Sequence, residues 1–378
     1  MIKFIGKEYK HMVILENKLL KVLNNFKVTG DVIDVEHIHA GHINVTTKVV
    51  LKSGEDPVAY ILQRINTTVF NDPIGIRNNI IGVTNFLKNK GVGDRYVLDY
   101  IQAKSGKTYY KDRDNNYWRV YKYIDDSVTY NILDDLDMLK EAGSAFGEFQ
   151  NLLSDYPSDQ LIEIIPNFHN TIARYDQLNV AAKLDTAKRL KDVKNIVDEF
   201  MGLKERACLM TKMLQNNELP LRVTHNDTKL NNVLFDVKTK KHLAVIDLDT
   251  IMPGLTGYDF GDAIRFLSNS SLEDEKDVSK IHFCVEKYKA FAEGFLAKVH
   301  YSLTPNEIET LPLGAFTMTV ECGVRFLTDY LNGDVYFHVN YDDHNLVRAI
   351  NQLTLAKDML NHFDEMKKIV TNCIEDLK

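Results

Sequence analysis

Hydrophobic and polar positions alternate along the first third of the chain and recur at helical spacing along the rest. Before residue 125, short runs of β-branched and aromatic residues are separated by turn sequences, which predicts strands. The predicted strands are Val32–Ile38, Ile43–Leu51, Ala59–Ile65, Tyr96–Ala103 and Tyr117–Ile124. Two helices are predicted among them, Tyr9–Phe26 and Pro73–Lys90, the second with Asp72 as its cap.

Beyond Asp125 the apolar residues recur at intervals of three and four, which predicts a mainly helical region. The predicted helices are Asp134–Leu153, Lys183–Phe200, Asp274–His300, Pro305–Leu331 and His344–Lys368. A strand-rich segment, Leu221–Asp249, interrupts them. We therefore expect an α+β fold of two lobes: an N-terminal nucleotide-binding lobe (residues 1–125) with an antiparallel sheet and helices, and a larger, mainly helical C-terminal lobe (residues 126–378).

The strand-rich segment carries three oxygen-bearing side chains at a characteristic spacing. Residues 224–232 have the sequence THNDTKLNN, in which Asp227 is followed five positions later by Asn232. An apolar hairpin then leads to Asp247. In kinases of this spacing the first Asp takes the proton of the acceptor hydroxyl, while the Asn and the second Asp hold Mg²⁺. We therefore predict Asp227 as catalytic base, Asn232 and Asp247 as metal ligands, and a bilobal protein-kinase-like fold.

Neighbouring residues leave alternatives open. Lys229 either reaches the γ-phosphate of the nucleotide or is a surface lysine, and Asp249 either binds a second metal or braces the loop. Residues 259–261 spell DFG, the metal motif of protein kinases, but they follow a Pro-Gly turn and not the hairpin. We expect Asp259 to cap the next helix and to tie down the catalytic loop. We expect His225 to fix the loop by hydrogen bonds to the backbone.

The N-terminal lobe departs from the usual kinase pattern. Its predicted phosphate loop, Ala40–Asn44, has one glycine, Gly41. The third strand has Gln63 where kinases place the phosphate-binding lysine, and the helix Pro73–Lys90 has no Glu to pair with such a lysine. A strand shifted by one residue would instead direct Arg64 toward the phosphates, because neighbouring side chains alternate between the two faces.

Composition bears on partners and compartment. The net charge of −7 provides no basic field for nucleic acid or an anionic membrane and favours small-molecule partners. No apolar run approaches the ~18 residues of a membrane span, and the first residues carry charge where a signal peptide would be apolar. The four cysteines form no Cys-x-x-Cys pair, which is typical of thiols in a reducing compartment. We expect a cytoplasmic monomer that binds neither nucleic acid nor a membrane.

Several longer segments carry a resemblance to a known family. They are GHIN (41–44), YILQ (60–63), WRVYKYI (118–124), AGSAFGEFQNLL (142–153), THNDTKLNN (224–232), IDLDTIMPG (246–254), DFGDAIRF (259–266), LEDEKDVSKIHF (272–283) and ECGVRFLTDYLNGDVYF (321–337). Through these segments the chain resembles the aminoglycoside phosphotransferase/choline kinase superfamily over nearly its whole length. Within that superfamily it is similar to the N-acetylhexosamine 1-kinases, which lack the lysine replaced here by Gln63.

The resemblance implies ATP- and Mg²⁺-dependent phosphorylation of the anomeric hydroxyl of N-acetylglucosamine or N-acetylgalactosamine, giving an α-1-phosphate and ADP. By motif position, it implies sugar contacts at His42, Thr224, Asp227, Phe266, Arg325 and Tyr336. Nucleotide contacts are expected at Gly41, Ile43, Asn44, Gln63, Tyr121, Tyr123, Ile124 and Lys229, with adenine between the lobes near Tyr121–Ile124.

Other interpretations stay open. The acceptor could be another small alcohol, such as a different sugar, homoserine, choline or an aminoglycoside. The chain could instead be a nucleotide-binding pseudokinase, although a pseudokinase has no need of Asp227, Asn232 and Asp247 together. Arg325 is either structural or enters the pocket, where it would disfavour a cationic acceptor by like charge.

Overall fold

The computed structural model describes residues 18–38 and 44–378. The chain forms two compact units, one ending at Ser127 and the other spanning Val128–Lys378. The predicted α+β class is confirmed, because the N-terminal part contains an antiparallel sheet and the C-terminal part is mostly helical. No helix among the described residues is long and apolar enough to cross a bilayer.

The first unit is a five-stranded antiparallel sheet with helices. Its elements are the described part of helix α1 (residues 18–23), β1 (Asp31–Ile38), β2 (Val45–Lys52), β3 (Pro57–Ile65), α2 (Pro73–Asn89), β4 (Tyr110–Lys111) and β5 (Tyr117–Lys122), with β6 (Ser127–Val128) at the boundary. The strand order is β1-β2-β3-β5-β4. Leu19, Leu23 and Phe26 pack with Leu62 and Trp118 in one hydrophobic core. Helix α2 begins as predicted, because the Asp72 side chain accepts the N–H of Gly75 at 2.8 Å.

One predicted strand is wrong. Tyr96–Ala103 forms only isolated bridges, from Tyr100 to Tyr121 and from Ala103 to Phe26. Its apolar residues Val97 and Leu98 are buried, so the hydrophobic run reflects side-chain packing and not a continuous ladder. Half of the predicted helix Tyr9–Phe26, residues 9–17, lies outside the described residues, and in the other half the helix ends at Leu23.

The second unit combines ten helices with four short strands among its described elements. The strands are β7 (Arg222–Thr224), β8 (Val233–Asp236), β9 (His242–Val245) and β10 (Met252–Gly254). The helices are α3 (Leu136–Leu152), α4 (Thr171–Leu184), α5 (Leu190–Ala207), α6 (Leu209–Gln215), α7 (Thr256–Leu267), α8 (Val285–Val299), α9 (Pro305–Glu309), α10 (Leu311–Asn332), α11 (His344–Asn361) and α12 (Phe363–Asp376). Helix α10 is buried along nearly its whole length and packs on α4, α5, α7 and α11.

Three predicted helices are interrupted, at Asp185, Thr310 and His362. Asp185 has a left-handed backbone with φ of 42°, which ends α4. The break at Thr310 precedes Pro312, whose ring would clash with the carbonyl four residues earlier in a continuous helix. A fourth predicted helix begins later than expected, at Val285.

Candidate active site

The predicted catalytic hairpin exists and brings the ends of its two strands together. Strands β8 and β9 are antiparallel, with Val233 opposite Val245. The N–H of Ile246 donates to the carbonyl of Asn232 at 2.8 Å. Asp247, the next residue, has a left-handed backbone with φ of 56°, which turns the chain sharply after β9. The hairpin therefore places Asp247 beside the end of the catalytic loop.

Asp227 lies in a charged and partly exposed environment. The Nδ2 of Asn232 donates to the backbone carbonyl of Asp227 at 2.8 Å and lies 3.4 Å from its Oδ2. The ammonium of Lys229 is 2.9 Å from Oδ1, with 28% of the Asp227 side chain exposed. Burial alone would raise the pKa of Asp227, but the charge and hydrogen bond of Lys229 hold it below its usual value. The carboxylate is therefore ionised at neutral pH, which its predicted role as base requires.

The donor chemistry of Asn232 and Asp247 fits Mg²⁺. Mg²⁺ takes oxygen ligands and is held by one or two protein groups together with substrate phosphates and water. Because Nδ2 of Asn232 is directed at Asp227, the side-chain Oδ1 is the atom able to accept a cation. Within residues 18–38 and 44–378 no group of three or more His, Cys, Asp or Glu could hold a metal by itself. The metal roles of Asn232 and Asp247 stay predictions.

Asp259 holds the catalytic loop by hydrogen bonds to the backbone of the loop. Its two carboxylate oxygens accept the N–H of His225 at 2.8 Å and the N–H of Asn226 at 2.7 Å. The amide of Gln150 donates a third hydrogen bond at 2.8 Å. The prediction that Asp259 ties down the loop is confirmed. The prediction that it caps the following helix is wrong, because it lies inside the first turn of α7 and the N-cap position is Leu255.

His225 fixes the loop through backbone groups, as predicted. Its Nε2 is 2.8 Å from the carbonyl of Ile246, and its Nδ1 is 3.2 Å from the amide nitrogen of Asp227. Since a carbonyl only accepts, Nε2 carries the hydrogen and Nδ1 is the acceptor. In this tautomer the ring links the end of β9 to the backbone amide of Asp227, the predicted base.

The residues predicted to contact the acceptor have different environments. Thr224 is fully buried, and its hydroxyl donates to the carbonyl of Met252 at 2.9 Å. Phe266 is half-buried on α7, and Tyr336 is 63% exposed after α10. The guanidinium of Arg325 lies on the ring of Phe168, 5.2 Å from its centroid. Their roles in acceptor binding stay predictions.

The residues predicted to contact the nucleotide lie mostly in the first unit. Gly41, His42 and Ile43 fall outside the described residues. Asn44 accepts the N–H of Asn66 at 2.9 Å. The other predicted residues of this unit are Gln63 on β3, Tyr121 on β5, and Tyr123 and Ile124 just after it. Their nucleotide contacts stay predictions.

A cationic side chain lies on the strand next to the position where kinases place the phosphate-binding lysine. Gln63 pairs directly across β3 and β5 with Arg119, whose Nε and Nη2 donate to the Gln63 Oε1 at 2.8 and 2.6 Å. Gln63 in turn donates to the hydroxyl of Thr46 at 3.0 Å. Arg64 lies opposite Trp118, on the other face. No role for Arg119 was predicted from the sequence, although the alternation of side chains within the segment WRVYKYI could have indicated which face of the strand it occupies.

Comparisons with known proteins identify related families and folds. A family model described as the phosphotransferase enzyme family (APH) matches residues 35–289. An aminoglycoside phosphotransferase from Alicyclobacillus acidocaldarius has a similar structure, with TM-score 0.63 and 11% identity over 93% of this chain and 96% of the other. A choline kinase from Cryptosporidium parvum matches with TM-score 0.55 and 15% identity over 95% and 96%.

A third solved structure contains bound molecules. It is an amicoumacin kinase in complex with AMP-PNP, Ca²⁺ and Ami, with TM-score 0.55 and 12% identity over 98% of this chain and 96% of that one. At such low identities these likenesses establish the fold. They confirm the protein-kinase-like architecture that the sequence predicted.

Proposed function

The chain belongs to the phosphotransferase enzyme family, and from this premise we propose that it is a kinase that transfers the γ-phosphoryl group of ATP to a small alcohol. We propose an N-acetylhexosamine as the acceptor, phosphorylated on its anomeric C1 hydroxyl. The products are N-acetyl-α-hexosamine 1-phosphate and ADP. The choice of sugar is supported by the segments that resemble N-acetylhexosamine 1-kinases, above all residues 246–254 and 321–337.

The observation that carries the reaction type is the ionised carboxylate of Asp227 on a loop held by buried hydrogen bonds. Asp227 accepts the proton of the acceptor hydroxyl as that oxygen attacks the γ-phosphorus. An anomeric hydroxyl is more acidic than other sugar hydroxyls, so a carboxylate with a lowered pKa serves as its base. Asn232 and Asp247 would hold Mg²⁺, which neutralises charge on the nucleotide phosphates. Lys229 adds positive charge 2.9 Å from the base.

The charges near Arg325 favour a neutral acceptor. The Arg325 guanidinium lies between two aromatic rings, 5.2 Å from the centroid of Phe168 and 5.5 Å from that of Phe337. Burial and the positive charge of Arg325 lower the pKa of Arg174, and the charge of Glu321 acts in the opposite direction. In an acceptor pocket lined by Arg325, a cationic acceptor such as choline or an aminoglycoside would meet repulsion, whereas a neutral sugar would meet hydrogen-bond donors and rings.

An acceptor panel with ATP and Mg²⁺ tests the proposal. N-acetylglucosamine and N-acetylgalactosamine are compared with glucose, homoserine, choline and an aminoglycoside, and ADP release is measured with and without each. We expect acceptor-dependent ADP release with the N-acetylhexosamines alone. Phosphorylation of choline or of the aminoglycoside, with no phosphorylation of the sugars, would refute the proposed acceptor. The proposal that the chain is a kinase for a small alcohol would still stand. Nucleotide binding without ADP release for any acceptor would identify a pseudokinase.

Replacement of the base separates chemistry from binding. Asp227→Asn keeps the size of the side chain and removes the base, so turnover should fall by roughly 10²–10⁴-fold while the affinity for ATP stays close to wild type. Asp277→Asn is a matched control, because Asp277 is an exposed carboxylate that caps a short turn outside the loop. Full turnover in the Asp227→Asn enzyme would overturn the assignment.

A further inference from the structure

The peptide group between Asn226 and Asp227 is held at both of its polar atoms. Asn226 has a left-handed backbone with φ of 64°, which is uncommon for a residue other than glycine and needs support from its surroundings. On one side, Nδ1 of His225 accepts the Asp227 N–H at 3.2 Å. On the other side, Nε2 of His169 lies 3.3 Å from the Asn226 carbonyl oxygen. Rotation of this peptide would break both hydrogen bonds and move the Asp227 side chain.

His169 contacts a buried carboxylate through its other ring nitrogen. Its second ring nitrogen, Nδ1, is 2.8 Å from Oε1 of Glu321, and the Thr171 hydroxyl donates to Oε2 at 2.7 Å. Burial alone would raise the pKa of Glu321, but the hydrogen bond and charge of His169 keep it below its usual value. The Glu321 carboxylate is therefore ionised and only accepts. Both ring nitrogens of His169 face oxygen atoms, so the ring bridges the Glu321 carboxylate and the Asn226 carbonyl.

The contact between His169 and Glu321 is buried and joins distant parts of the chain to the loop. Glu321 is on α10 and Thr171 begins α4, and both are fully buried, while His169 is 7% exposed. The Nε2 of His169 faces the carbonyl that immediately precedes the proposed base.

We propose that His169 and Glu321 are positioning residues that fix the orientation of the Asn226–Asp227 peptide and thereby direct the Asp227 carboxylate at the acceptor hydroxyl. The proposal rests on the proposed function of Asp227 as base. It is independent of which small alcohol is the acceptor. Neither residue touches the reacting atoms; both act through Asp227.

A double-mutant cycle tests the proposal in the full-length enzyme. Displacement of a catalytic group by about 1 Å costs up to roughly 100-fold, so His169→Leu should lower kcat by about 10- to 100-fold with little change in the KM for ATP. His169→Gln retains an N–H donor and should keep more of the rate. In an Asp227→Asn background, His169→Leu should cost less than about threefold, because a residue that acts through the base has nothing left to position.

Tyr175→Phe is the matched control for loss of a buried hydrogen bond. Tyr175 lies on α4, the helix that begins two residues after His169, and its hydroxyl donates to the carbonyl of Phe200 on α5 at 2.8 Å. It should lower thermal stability without lowering kcat. A wild-type kcat in His169→Leu, or the same loss of rate with and without Asp227, would overturn the positioning role. If Asp227→Asn alone kept full rate, the proposed function would fail instead.

Hydrogen exchange gives a second readout that does not need activity. The Asp227 amide should exchange faster in His169→Leu and Glu321→Gln than in wild type, and at the wild-type rate in Tyr175→Phe. Unchanged protection of this amide in both variants would contradict the proposal even if no acceptor had been found.

Discussion

Removal of the Asp259 carboxylate is the change whose effect on stability can be worked out most directly from the structure. Asp259 is 2% exposed and accepts hydrogen bonds from the backbone N–H groups of His225 and Asn226 and from the amide of Gln150. In Asp259→Ala these donors lose their partner in a place closed to solvent. The loop that carries Asp227 would then lack its main support.

The expected loss of stability can be worked from the donors left behind. Each buried, unsatisfied donor costs about 1–3 kcal/mol, so the two backbone N–H groups together cost roughly 2–6 kcal/mol. A folded protein has about 5–15 kcal/mol of stability in total, so this is a large fraction. Asp259→Asn keeps one acceptor oxygen and should cost about half as much, roughly 1–3 kcal/mol.

Urea unfolding followed by circular dichroism measures the effect. The midpoints should fall in the order wild type, Asp259→Asn, Asp259→Ala, with an unchanged denaturant dependence. In parallel, a Mg²⁺ titration of the remaining activity should give the wild-type midpoint for Asp259→Asn and a weakened one for Asp247→Ala. Wild-type stability in Asp259→Ala would refute the supporting role. A Mg²⁺ midpoint that changes in the Asp259 variants and stays at the wild-type value in Asp247→Ala would refute the assignment of Asp247 as a metal ligand.

Three further predictions concern packing and pH. An added Cβ in Gly314→Ala would overlap a backbone carbonyl oxygen of α7, so overpacking should destabilise the protein by about 1–3 kcal/mol in thermal unfolding. Gly202→Ala has open space on α5 and should instead be stabilising by roughly 0.5–1 kcal/mol in the same assay. Hydrogen bonds from His242 and Lys298, outweighing burial, lower the pKa of Glu148 from 4.5 to about 2. Its contribution to stability is therefore present above pH 4.5 and is lost as the pH falls toward 2; the stability difference between wild type and Glu148→Gln should disappear over that range.

Local sequence signals predicted the elements whose formation depends on neighbours along the chain. The hairpin β8–β9 and the capped start of α2 follow from turn chemistry and alternation, and both form as predicted. The break before α10 had a signal in Pro312 that outweighs the continuous apolar spacing. The break at His362 has no such signal, since apolar periodicity continues across it.

Contacts between distant residues explain what the sequence did not predict. His169 and Glu321 are 152 positions apart, and only the packing of α10 against α4 brings them together. Arg119 and Gln63 are 56 positions apart and meet only once the register of β3 and β5 is known. Tyr96–Ala103 has the composition of a strand, but its backbone has no continuous partner among the described residues. Composition and periodicity indicate which residues are buried, but they do not indicate which parts of the chain those residues pack against.

Magnetic resonance of the reaction product tests the central claim most directly. The enzyme is incubated with ATP, Mg²⁺ and N-acetylglucosamine or N-acetylgalactosamine, and the phosphorylated sugar is examined for coupling between phosphorus and the anomeric proton. We predict a single product with phosphate on C1 in the α configuration. The wild-type enzyme should form it much faster than the Asp227→Asn enzyme. Phosphate on another hydroxyl, or no sugar phosphate from an enzyme that phosphorylates other alcohols, would contradict the account.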